Sequence, residues 1–172
     1  DYIFADNTVG IPELTTAIIR GAYEYQGQKC SAASRAYIPK SIWPELKKHL
    51  GEELTKVKMG PVEDFTNFVN AVIDEPSFDK LKGFIDRAKD DKDADVLFGG
   101  NCDKSKGFFI EPTVILAKKP DYITMQEELF GPVLTIYLYE DDKIDETLDI
   151  LDNTSIYGLT GAIWSNNRYN IE

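Results

Sequence analysis

Thiols and imidazoles are scarce in this chain. Its 172 residues hold two cysteines, Cys30 and Cys102, and one histidine, His49. Two cysteines make no disulfide framework and read as free thiols of a reducing compartment. A single histidine excludes zinc sites built on several imidazoles. No apolar run approaches the length of a bilayer-spanning helix, so no membrane partner is expected. Positive charge is short as well: 19 lysines and arginines stand against 30 aspartates and glutamates, a net charge of -11. Such a surface repels nucleic-acid phosphates and anionic lipid, so neither is an expected partner. There is no Cys-x-x-Cys pair and no Gly-x-Gly-x-x-Gly run. A dithiol redox motif and a dinucleotide phosphate cradle are therefore both missing. Asp1-Tyr2-Ile3-Phe4 opens without an initiator methionine, a basic leader or a signal-type apolar block. The expectation is a piece of a longer protein.

What is present suits one sizeable globular domain: hydrophobic residues make up 42% and charged residues 28%. A chain of this size can offset its conformational entropy with a buried core. Tyr2-Ile3-Phe4 reads as a strand. Pro12 and Glu13 suit a helix start, and Leu14, Ile18, Ala22 and Tyr25 recur on one helical face that Gly27 would close. Ala36-Tyr37-Ile38 is a strand candidate. Ser41 is the expected cap of a helix over Trp43 to Val57. Phe65 to Ile73 has no clear period. Ser77 is read as the start of a third helix that buries Phe78, Leu81, Phe84, Ile85 and Ala88. Strands are expected at Val96–Phe98, Phe108–Ile110, Val114–Leu116, Val133–Tyr139 and Leu159–Trp164. A helix over Asp145 to Leu151 would turn Ile144, Leu148 and Leu151 inward. Helices and strands alternate, which argues an α/β fold: a layered αβα arrangement with a mostly parallel sheet.

The stretch Gly27-Gln28-Lys29-Cys30-Ser31 carries the chemistry. A glycine, a glutamine, a lysine and a following run of small residues leave the Cys30 thiol accessible and in electropositive surroundings. If Ser31 to Ser34 open a helix, unpaired N–H groups there would stabilise a thiolate and an oxyanion formed beside it. Ser31 would serve equally as the cap of that helix. His49 sits among Lys47, Lys48 and Glu52 on a solvated helix face, so a cysteine–histidine protease fits poorly. Cys102 lies in a polar loop and looks incidental. Glu127 and Glu128, taken alone, read as a solvated acidic loop.

Gly27 to Ala32, with Tyr23 upstream, resembles the active-site cysteine segment of the aldehyde dehydrogenase superfamily. Glu127-Glu128-Leu129-Phe130-Gly131-Pro132-Val133 is similar to that superfamily's cofactor-side segment. Tyr157-Gly158-Leu159-Thr160-Gly161-Ala162 is similar to one of its strand entries. Within it, Gly27 to Tyr37, Ala71 to Asp74 with Ser77-Phe78, Gly107 to Thr113, and Asp152 to Ser155 resemble the 1-pyrroline-5-carboxylate dehydrogenases. The resemblance covers essentially the whole chain. It implies an NAD-dependent oxidation of L-glutamate γ-semialdehyde to glutamate, in proline breakdown. Cys30 would be the nucleophile, passing through a thiohemiacetal and a thioester, with its own backbone N–H donating to the oxyanion. Ser31 would help to hold the substrate carboxylate. Glu128 would bind the nicotinamide ribose hydroxyls, and Phe130 would pack near the nicotinamide. The family also implies a homo-oligomeric parent in the mitochondrial matrix.

The family's general-base glutamate and its oxyanion asparagine have no counterpart in residues 1–172. Nor have the dinucleotide-binding domain and the C-terminal segment that completes the carboxylate anchor. Residues 1–172 are therefore expected to form a catalytic-domain fragment, inactive by itself. Two other readings stay open: a semialdehyde dehydrogenase of different specificity, and a non-catalytic binding or scaffold domain with a buried, structural Cys30.

Overall fold

The computed structural model describes every residue from Asp1 to Glu172. Its centre is a six-stranded sheet in the order β3-β6-β7-β2-β1-β8. The strands are β1 (Tyr2–Ala5), β2 (Arg35–Pro39), β3 (Ala94–Phe98), β6 (Thr113–Ala117), β7 (Val133–Tyr139) and β8 (Gly161–Trp164). Five of these run parallel, and only β3 pairs antiparallel, with β6. A separate two-stranded ribbon joins β4 (Cys102–Asp103) to β5 (Phe109–Ile110). Short β-rich runs bounded by turn residues account for the strands, and the long crossovers between parallel neighbours account for the helices.

The pleat sends alternate side chains to opposite faces, and each face has its own apolar layer. Ile3, Ala36, Ile38, Val114, Leu134 and Ile136 pack beneath α1 (Ile11–Tyr23) and α2 (Trp43–Leu54). Phe4, Tyr37, Ile115 and Val133 pack beneath α3 (Glu75–Asp90), α4 (Ile123–Gln126) and α5 (Ile144–Thr154). The expected αβα layering and mostly parallel sheet are therefore what forms. Strands buried on both faces explain the near-continuous apolar run of β7.

Several local expectations are corrected. The first helix ends at Tyr23, whose ring is fully buried, while Tyr25 is 65% exposed. The chain leaves the right-handed helix at that point, so Tyr25 never reaches the buried stripe. Ser41 caps nothing: its hydroxyl bonds to Asp141, and Ile42 stands at the start of α2. That helix stops at Leu54 rather than Val57. The cap of α3 is Asp74, which accepts the N–H of Ser77 at 2.9 Å. Ser77 itself lies inside the first turn. Leu148 is exposed, and Thr147 takes the inward position instead, bonding its hydroxyl to the Lys143 carbonyl. Residues 65–73 are irregular: Val69 forms an isolated bridge with Met59, and Val69 and Val72 bury their side chains in the two apolar layers.

One buried cation is held without a carboxylate. Arg35 donates to the Tyr37 hydroxyl and to the Leu151 carbonyl, each at 3.1 Å, and lies 5.9 Å over the rings of Tyr2 and Tyr37. The carbonyl end of α5 and two aromatic faces replace the missing counter-charge.

Candidate functional site

The loop that carries Cys30 starts with an unusual backbone. Tyr25, Gln26 and Gly27 have φ of 55°, 59° and 66°, three left-handed residues in succession. Each such position costs a non-glycine residue about 1 kcal/mol or more, so neighbours must hold it. They do. Gln28 N–H closes on the Tyr25 carbonyl at 3.1 Å. Lys29 pairs with Glu24 across the turn at 2.7 Å and holds the Glu24 carboxyl below its usual range. Gly27 lies flat against the backbone of Gly131 and Ala22. A Cβ added there would meet the Ala22 carbonyl oxygen at 2.8 Å and the Gly131 carbonyl carbon at 2.9 Å. Only a glycine fits such an approach.

After this turn Lys29 to Ala32 form a tight bend, with the Ala32 N–H on the Lys29 carbonyl at 3.0 Å. No helix opens at Ser31; β2 begins at Arg35. The expected helix start, the cap role of Ser31 and the thiolate stabilisation drawn from that helix have no counterpart. Residues 31–34 instead feed the strand: Ala33 N–H binds the Gly21 carbonyl at 2.9 Å, and Ser34 N–H binds the Asp1 carbonyl at 3.0 Å. Cys30 and Ser31 are both exposed at the bend. A scaffold reading with a sealed, structural Cys30 is not what the fold presents.

The second segment approaches from β7. Glu128 is partly buried, Leu129 is buried, and Phe130 is 44% exposed with φ of 60°. Phe130 thus pairs an exposed ring with a left-handed backbone, a combination found where structure is constrained for use. Lys80 of α3 donates to the Glu128 carbonyl at 3.3 Å. The next residue, Gly131, is the one that Gly27 packs on, so the Cys30 loop and the Glu128 loop meet backbone to backbone.

Asp1 ties a third segment to the Cys30 loop. Its carbonyl accepts the Ser34 N–H and the Ser34 hydroxyl, each at 3.0 Å. Its buried carboxylate accepts the N–H groups of Leu159 and Thr160 at 2.7 and 3.0 Å, and the Thr160 hydroxyl at 2.9 Å. Charge-assisted bonds of this kind are strong enough to fix a loop. Beside them lies a cleft of about 210 Å³ lined by Asp1, Ser31, Ala33, Thr160 and Gly161, among others. Cys30 is not in that wall; Ser31 is.

All these segments precede parallel strands: Asp1 before β1, residues 30–34 before β2, residues 128–132 before β7, and residues 159–160 before β8. The candidate site is thus at the amino edge of the sheet. The sequence picks out Cys30, Ser31, Glu128 and Phe130. It gives no sign of Asp1 beside them, because nothing local relates residue 1 to residue 160. Cys102, half-buried in β4, lies on the ribbon with its thiol pushed up by burial. His49 is half-buried on α2. No group of three or more metal-ligating side chains comes together.

The sequence profile of the aldehyde dehydrogenase family matches residues 2–172. The mitochondrial delta-1-pyrroline-5-carboxylate dehydrogenase of Dictyostelium discoideum is 54% identical over 172 residues, all of this chain and 31% of its own length. The human mitochondrial protein of the same name is 44% identical over 169 residues, 98% of this chain and 30% of its own. Among solved structures, the delta-pyrroline-5-carboxylate dehydrogenase of Mycobacterium tuberculosis bound with NAD superposes with a TM-score of 0.90 at 38% identity. That match covers 99% of this chain and 31% of the other. The chain therefore spans about a third of the length of the relatives it matches. A match over all but its first residue means that this chain belongs to the aldehyde dehydrogenase family.

Proposed function

We propose that this chain is the thiol-bearing, catalytic-domain part of an NAD-dependent 1-pyrroline-5-carboxylate dehydrogenase. Its substrate is L-glutamate γ-semialdehyde, its product is L-glutamate, and its compartment is the mitochondrial matrix. The assembled enzyme is a homo-oligomer. The observation that carries the reading is the junction at Gly27 and Gly131, which joins an exposed cysteine loop to the loop of Glu128 and Phe130.

In this reading the Cys30 sulfur, as thiolate, forms a bond to the aldehyde carbon, and the carbonyl oxygen becomes an oxyanion. The Cys30 peptide N–H donates to that oxygen, a preorganised dipole where charge develops. NAD, when bound, supplies the hydride acceptor. Loss of hydride from the thiohemiacetal carbon leaves a thioester on Cys30, and water releases glutamate and the free thiol. The base that activates this water lies outside residues 1–172. Ser31, in the wall of the 210 Å³ cleft, offers a hydroxyl to the substrate's α-carboxylate.

Two residues suit one end of the dinucleotide. Glu128 keeps 24% of its side chain accessible, and a carboxylate accepts from two ribose hydroxyls. Phe130, two positions on, is exposed and offers an aromatic side chain. A glycine-rich phosphate cradle is not among these residues, so they account for the nicotinamide end alone.

The test replaces the matching segment of the Dictyostelium relative with residues 1–172. The chimera should reduce NAD with glutamate semialdehyde. Cys30→Ala in that chimera should lower the rate at least about a thousandfold, as for other lost nucleophiles. A chimera that folds, binds NAD and leaves the semialdehyde unoxidised refutes the proposal. The isolated chain should show no turnover.

A further inference from the structure

We propose that Gln28 is a positioning residue for the Cys30 nucleophile, acting through the backbone N–H of Ile73. This rests on the reading of Cys30 as the nucleophile given above. The Gln28 carboxamide oxygen accepts the Ile73 N–H at 2.9 Å, across 45 positions of sequence. Two residues earlier, the buried Gln26 points its amide nitrogen at the Ala71 carbonyl at 3.5 Å. The two glutamines thus grip one strip, residues 71–73, from opposite ends of Gly27.

That strip has an anchor of its own. Val72 is buried and its N–H binds the Phe108 carbonyl at 2.9 Å, while Asp74 caps α3. Ile73 itself is 78% exposed, so its side chain contributes little packing. Its use to the fold lies in the N–H it offers. On the other side, Gly27 is fixed against Gly131, and Ala33 is tied to Gly21. Between these fixed points, residues 28–32 form a short bridge in which the bend at Lys29–Ala32 presents the thiol. Within that bridge Gln28 is where a side chain reaches a distant segment; Lys29 reaches only Glu24.

The strained backbone makes this tether matter. A run of left-handed residues at Tyr25 to Gly27 stores a bias toward other conformations. Without the Ile73 contact, that bias can relax through Gln28 and carry the bend with it. A shift of about 1 Å in a reacting atom can cost on the order of a hundredfold in rate. The tether leaves the thiol's exposure and the core untouched, so its effect belongs to the turnover step rather than to stability or substrate affinity.

The experiment uses the chimera with the Dictyostelium relative. Gln28→Leu should lower kcat about tenfold or more, with KM changed less than about threefold. Gln28→Glu, which keeps an acceptor oxygen, should recover most of kcat. Ile73→Pro removes the same donor from the far side and should reproduce the loss. The double variant should be no slower than the slower single, as expected when two changes break one bond. In the isolated chain, hydrogen exchange at the Ile73 amide should accelerate in Gln28→Leu while the denaturation midpoint stays constant. Unchanged kcat in Gln28→Leu, or multiplicative losses in the double variant, overturns the positioning role and leaves the nucleophile reading standing. An inactive unsubstituted chimera overturns the nucleophile reading, and this one with it.

Discussion

Gly27→Ala is the sharpest probe of the junction between the cysteine loop and the Glu128 loop. Two costs add at this position. Alanine at a φ of 66° pays the left-handed penalty, about 1–2 kcal/mol. Its methyl group would also stand 2.8 Å from the Ala22 oxygen and 2.9 Å from the Gly131 carbonyl carbon, with the Gly131 oxygen nearer still. Those neighbours are backbone, fixed in α1 and at the entry of β7, and cannot rotate aside. Forced overpacking of this kind costs about 1–3 kcal/mol. The sum, about 2–5 kcal/mol, is a large part of the 5–15 kcal/mol on the order of which such domains are stable. Urea denaturation of the isolated chain, followed by far-ultraviolet circular dichroism, reads it directly. The midpoint should fall while the slope stays constant, and Tm should drop about 5–15 °C. Gly83→Ala is the control. It lies exposed in α3 with nothing within 4 Å of an added Cβ. It should gain about 0.5–1 kcal/mol from helix propensity alone. A Gly27→Ala chain that loses less than about 1 kcal/mol refutes the close backbone approach, and with it the geometric link between the two loops.

Two further outcomes follow from the hydrogen bonds. Burial pushes the Asp6 carboxyl up, but the side chains of Ser165, Thr8 and Asn170 and the N–H of Thr8 together hold it below its ordinary value. A carboxylate with a depressed folded-state pKa stabilises fully above its unfolded pKa of about 3.9 and loses that contribution as pH falls through the folded value. Stability should therefore decline below about pH 4, and Asp6→Asn, compared by urea denaturation at pH 7 and pH 3, should flatten that decline and cost about 1–3 kcal/mol at pH 7. Tyr23→Phe deletes the buried hydroxyl that donates to the Thr113 carbonyl at 3.0 Å, a phenol that burial holds un-ionised far above its usual range. It should cost about 1–2 kcal/mol by the same assay, and a neutral result would mean that Thr113 has another donor.

Much of the architecture was legible because period and position carry it. Leu14, Ile18 and Ala22 report α1 through spacing, and the β-rich run Val133 to Tyr139 reports a buried strand. Tyr25 extends the helical spacing by the right count and still fails. Periodicity reports where a side chain would point if the helix continued, not whether the backbone continues. The caps fail for a related reason. Ser77 and Asp74 both suit a helix start, and Pro76 in the first turn settles it for Asp74. At the site, the Cys30 and Glu128 segments stand out as motifs, yet the helix drawn after Cys30 does not form. Ser31 to Ser34 are small residues that suit a cap, but their backbone groups go to Gly21, Asp1 and Thr135 across the sheet. Asp1 and Gln28 were illegible as site residues because their partners lie 158 and 45 positions away.

Ligands of open parallel sheets usually gather beyond the carboxyl ends of the strands. Here the candidate chemistry gathers at the opposite rim, on the approaches to four neighbouring strands, β7, β2, β1 and β8. The far rim holds two other clusters: Asn7 and Ser41 both donate to Asp141, and Asp6 accepts from Thr8 and Ser165. Turns there lie a full strand length from the candidate residues, whereas a single residue added ahead of any of those four strands would shift one wall of the candidate site against the others.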